Sequence, residues 1–205
     1  MKYEIIQICP YPNVSFEMKR NGEIIGNAVR LPKKRQPHNY EINFLGKNIR
    51  MTMDTHLFTV DMLPWRKPKS DLYFLFQNAK KCGELYHFHN HMLELYGCTY
   101  TMRSIDFGTA IKIHIWEGEF KKEKPTGKQT ALIETTSQNQ ELHHYQVTAL
   151  EEKAGLIASL FCIYSDVCFY DIKNFDFTNG QTAVIMAINP RIFASSAERF
   201  AFTTK

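Results

Sequence analysis

The chain predicts a mainly β fold: a closed or nearly closed antiparallel barrel of about twelve short strands around one central apolar helix near residues 149–165. Three observations predict it. Short β-branched and aromatic runs recur between close turn signals through residue 148, and fifteen Phe and ten Tyr suit strands and barrel interiors. From Ala154 to Tyr164 the pattern then changes to an apolar run broken only by Ser159. A helix with no polar face must be buried on every side, and in a chain of strands the simplest burial place is the inside of a closed sheet.

The elements follow in order. Residues 2–8 read as a strand stopped by Pro10 and Pro12. Residues 14–20 and 23–30 flank Asn21-Gly22, whose tolerance of positive φ marks a type I′ hairpin. A second hairpin is predicted from 39–45 and 48–54 around Gly46-Lys47, followed by a short strand at 56–61 and a proline-broken basic stretch from Pro64 to Ser70. Strand signals resume at 72–77, 83–89, 91–98, 99–106 and 109–117, with Gly83, Gly97 and Gly108 as turns or bends. Residues 119–128 form a charged loop, and strands fit 129–135 and 141–148. Thr148 and Glu151 have the spacing of a capping box, so the helix is expected to start at Ala149. Val167 to Tyr170 resembles one more strand. Asn189-Pro190 opens a short helix in a C-terminal extension, residues 173–205, packed on the barrel domain of residues 1–172.

Composition narrows the functional classes. A formal net charge of +4 permits contact with phosphates or an anionic membrane surface without demanding it. The five cysteines include no CxxC pair, which predicts reduced, mostly buried thiols and a cytoplasmic protein. No run of signal-peptide type opens the sequence. The apolar run reaches roughly half of the ~20 residues that span a bilayer.

From Thr126 to Tyr170 the chain resembles the closing part of the tubby C-terminal-like superfamily, which includes tubby-like proteins, phospholipid scramblases and LURP-one-related proteins. The residues that carry the resemblance are Ala131-Leu132-Ile133-Glu134, then Tyr145-Gln146-Val147, then the helix from Lys153 to Tyr164, then Ser165-Asp166-Val167-Cys168-Phe169-Tyr170. The resemblance implies a twelve-stranded barrel with the helix threaded through its centre. Further upstream only the rhythm of strands and turns agrees. The family helix often lies near the C-terminus, whereas here a tail runs on to Lys205.

Two groups of residues are candidates for a site. Lys33-Lys34-Arg35, Arg66-Lys67 beside Trp65, and Lys121-Lys122 form three basic clusters. Gathered at one barrel end, they would hold an anionic phospholipid or phosphoinositide headgroup, with the indole suited to the headgroup layer. The same charges also suit ordinary solvated loops, the reading to which the sequence inclines. His87, His89 and His91 would share one face of a single strand and supply imidazoles to a metal-dependent enzyme. They equally suit a solvated polar face or a hairpin tip at Asn90, and this plainer reading is favoured. No nucleophile elbow or phosphate loop is present, so the expected protein is a non-enzymatic binding or scaffold module, peripheral on the inner face of the membrane. No cofactor and no nucleic-acid partner is implied. Residues 173–205 are the candidate protein-docking segment.

Overall fold

The computed structural model describes residues 1–10, 13–31, 39–53, 70–88, 90–107, 111–121, 124–135 and 142–169. Among them fourteen strands and one helix appear, and twelve of the strands close into a barrel. The barrel strands are β1 (Lys2–Cys9), β2 (Ser15–Arg20), β3 (Glu23–Arg30), β4 (Asn39–Phe44), β5 (Lys47–Met53), β6 (Ser70–Gln77), β7 (Lys80–Phe88), β8 (Asn90–Leu95), β9 (Cys98–Phe107), β10 (Ile111–Glu117), β13 (Gln129–Thr135) and β14 (His144–Ala149). Every neighbouring pair is antiparallel. The ring is a meander, except that β10 pairs β13 across the small ribbon β11 (Phe120–Lys121) and β12 (Lys124–Pro125). Pairing of β1 with β14 closes it, with Tyr3 opposite Val147 and Ile5 opposite Tyr145. Closure removes both edges, so each barrel strand finds a backbone partner on either side.

Side chains alternate across the wall, and one set fills the lumen: Tyr3 and Ile5, Phe16 and Met18, Ile42 and Phe44, Ile49 and Met51, Leu93 and Leu95, Tyr145 and Val147. The helix α1 (Glu152–Phe169) occupies the space that remains. Every residue from Ala154 to Ser165 is buried. It lies closest to β14, β13 and β1, and Gly155 on the helix faces Tyr3 of β1. Gly155 is required there, because a Cβ would sit 2.7 Å from the Tyr3 ring and 3.1 Å from Phe44.

Two expectations about the helix need correction. It begins at Glu152, and its first turn closes with the Gly155 amide donating to the Glu151 carbonyl at 3.1 Å. Thr148 is not its cap. That residue is held in β14 between Lys2 and Leu132, and strand pairing on both sides outweighs a local capping box. The helix also continues through Val167, Cys168 and Phe169, where β-branched and aromatic residues suggested a strand. A closed barrel offers no edge for another strand to join, so local propensity yields.

Other boundaries moved as well. The second hairpin turns at Leu45-Gly46, with φ of 49° and 76°, one residue earlier than expected. Gly83 is not a turn. It lies inside β7, where its backbone approaches the Glu94 carbonyl so closely that a Cβ would stand 2.1 Å away. The charged loop 119–128 contains the β11–β12 ribbon, whose Phe120 covers Trp116 with ring centroids 5.0 Å apart. The four cysteines whose side chains are described are free, and of these Cys162 alone is buried. Cys82 and Cys98 are half-buried, and Cys9 is exposed. The predicted strand at 56–61 and the extension 173–205 lie outside the described residues.

Candidate functional site at the loop rim

The meander gives the barrel two unlike ends. At one, the turn rim, strands are joined by two-residue turns with both φ positive: Asn21-Gly22, Leu45-Gly46, Asn78-Ala79 and Tyr96-Gly97. The ribbon springs from this rim, and α1 enters the lumen through it. At the other, the loop rim, β3 is joined to β4 across 31–38, β5 to β6 across 54–69, and β13 to β14 across 136–143, and α1 emerges there.

The lumen face becomes polar toward the loop rim. Gln7 continues the face of Tyr3 and Ile5, Arg30 that of Ala28, Thr135 that of Ala131 and Ile133, and His91 that of Leu93 and Leu95. Gln7 and Arg30 are 5% and 7% exposed, and the neighbouring Asn39 is fully buried. Gln7 is held to the end of β14, accepting from the His143 amide at 3.1 Å through its side chain while its own amide donates to the His143 carbonyl at 2.8 Å. His91 Nδ1 lies 3.3 Å from the Tyr164 hydroxyl on α1, and the Tyr73 ring meets Tyr164 edge-on at 5.6 Å. These contacts tie the end of the helix to the rim. A buried guanidinium is costly to desolvate and is kept where it is hydrogen-bonded, so Arg30 marks this collar as built polar structure rather than frayed barrel end.

The basic clusters fall mostly outside the described residues. Lys33, Lys34 and Arg35 lie outside the described residues, as do Trp65, Arg66 and Lys67, but the strands flanking both groups end at the loop rim. Lys121 is exposed on the ribbon, opposite Lys124, at the turn rim; Lys122 is outside the described residues. Of the three clusters, the described residues include Lys121 alone.

The histidines do not share a strand. His87 is in β7 and His91 in β8, directly opposite one another across the hairpin, and position 89 falls outside the described residues. Among the described residues no group of three His, Cys, Asp or Glu side chains could hold a metal ion. Sequence reading missed Gln7, Arg30 and the Tyr164 contact. For Arg30 a signal existed, since it falls two residues after Ala28 on the inward face of a predicted strand.

Outside the barrel, Leu72, Tyr86 and Met92 form a small buried cluster. Burial, and then donation to Glu94 at 2.7 Å, push the Tyr86 hydroxyl far above the usual tyrosine range. A groove of about 500 Å³ runs along β4–β6, lined by Glu41, Asn48, Arg50, Thr52 and Phe76. Among the described residues no helix is long and apolar enough to cross a membrane. Comparison of the chain with protein-family models, with curated proteins and with solved structures finds no match in any of the three.

Proposed function

We propose that this is a non-enzymatic binding or scaffold protein with a tubby-like barrel, acting from the cytoplasm at anionic phospholipid headgroups through its loop rim. One observation carries the reading: the strands that bracket Lys33-Lys34-Arg35 and Trp65-Arg66-Lys67 end at the same rim, where the lumen wall is already polar and contains the buried Arg30. The filled lumen supports it too. With α1 buried from Ala154 to Ser165, a ligand meets the barrel at its outside or its rims. The kinship itself rests on the resemblance of residues 126–170 and on a barrel built around a helix.

Each Lys or Arg near an anionic bilayer contributes about 1 kcal/mol, so two such clusters on one rim are sufficient for reversible docking. Flotation with neutral vesicles and with vesicles containing phosphatidylserine or a phosphoinositide tests this. The protein is expected to float with anionic vesicles only. Reversing Lys33, Lys34 and Arg35 to Glu should abolish flotation, while Lys121→Glu with Lys124→Glu at the opposite rim should preserve it. Equal binding to both vesicle types, or to neither, would defeat the lipid reading.

A further inference from the structure

At the turn rim, away from the proposed lipid surface, three reactive side chains meet where α1 enters the barrel. Lys153, in the first turn of α1, places Nζ 3.6 Å from Cys98 Sγ on β9 and 5.6 Å from the centre of the Tyr100 ring. Tyr100 is almost fully buried, while Cys98 and Lys153 are half-exposed. The Tyr100 hydroxyl first of all, acting against partial burial, holds the Lys153 ammonium above the usual lysine range, so it stays charged at every physiological pH. Among the described residues no carboxylate forms an ion pair with it, and Glu152, its neighbour in the helix, is bonded to Arg20 at 3.1 Å.

We propose that Cys98 is an oxidant-sensing thiol whose reaction with hydroperoxides is assisted by Lys153. An ammonium at this distance stabilises negative charge that builds on sulfur and on the departing oxygen during attack. The thiol gives its proton to solvent, and the sulfur attacks one peroxide oxygen. An S–O bond forms as the O–O bond breaks. The leaving hydroxide, or alkoxide from an organic hydroperoxide, takes up a proton. Sulfur loses two electrons to become a sulfenic acid and the peroxide is reduced to water or alcohol. The other described thiols lack this setting. Cys9 is exposed and has no ammonium contact among the described residues, burial pushes the Cys82 thiol up, and Cys162 lies inside the lumen.

The test uses the reduced full chain, hydrogen peroxide and a dimedone trap, with peptide mapping of every cysteine over time. Cys98 is expected to be trapped before Cys9 despite its lower exposure. Lys153→Met should slow Cys98 about tenfold relative to Cys9 in the same molecule, and Lys153→Arg should restore most of the difference. The ratio between two cysteines of one chain does not follow global stability, so a merely structural role for Lys153 would leave it unchanged. Faster trapping of Cys9 in the unaltered chain, or an unchanged ratio in Lys153→Met, would overturn the assignment.

Discussion

The two rims of this barrel are built from different chemistry. The turn rim is made of four tight reversals in which both residues take positive φ, closed by a short ribbon and by the first turn of α1. The Arg20–Glu152 pair and the Lys153 contact with Cys98 fasten that turn to the wall. The loop rim combines the tight β7–β8 hairpin with longer connections, over a collar of buried polar groups, Gln7, Arg30 and Asn39. Tight turns set strand register and leave little room for variation, whereas long connections on a rigid wall carry binding residues. The turn rim holds register and stability, the loop rim carries the proposed recognition surface, and α1 spans both.

The largest expected effect tests that spanning element. Ala158 is fully buried at mid-helix, and Ala158→Asp would put a carboxyl with no partner into the lumen. It should cost about 3–5 kcal/mol in denaturant unfolding. A near-normal midpoint would place the segment outside the wall and dissolve the distinction between the rims. Next comes a paired insertion of four Gly/Ser residues. Placed between Asn21 and Gly22 it lengthens a two-residue turn and discards its fitted geometry, at a cost of about 1–2 kcal/mol. Placed at residue 138, in the longer β13–β14 connection, it should cost a few tenths of a kcal/mol. Equal losses would break the comparison.

Alkaline pH should act first on the turn rim. Burial raises the hydroxyls of Tyr3, Tyr96 and Tyr100 there above the usual tyrosine range of about 10. A raised folded value means the folded state retains protons that the unfolded chain has lost. The contribution is therefore complete below about pH 10 and declines as pH rises through the folded values. Thermal midpoints should hold to about pH 9 and then fall, with tyrosinate absorbance appearing together with unfolding. Ionisation of these tyrosines well before unfolding would show that the rim is open to water. One expected effect is a gain: Ala79 sits at φ 60°, and Ala79→Gly should stabilise the fold by about 0.5–1 kcal/mol.

What could be read from the sequence follows the same division. Asn21-Gly22 announces its turn because both residues tolerate the left-handed region, and the apolar run 154–164 announces a buried helix because no face is left for water. The turns at Leu45 and Asn78-Ala79 were misplaced or missed because Leu and Ala do not signal positive φ; the flanking pairing imposes it on them. Gly83 shows the converse, a glycine kept for close approach of two backbones that reads locally as a bend. The helix boundaries shifted for a non-local reason at each end, strand pairing at Thr148 and a wall without edges beyond Ser165. Of the candidate site, the basic clusters were visible as composition, but the rim at which their flanking strands end depends on the parity of the meander. The buried collar at Gln7 and Arg30 depends on the register of closure, which no local segment encodes.

The most direct measurement is amide hydrogen exchange across α1. A helix enclosed by the barrel can open only when the wall opens, so the amides of Leu156 to Ile163 should exchange with the free energy of global unfolding, together with Ile133 and Val147 in the strands beside them. Exchange of the helix amides ahead of those strands would contradict the picture of a plug held inside a closed sheet.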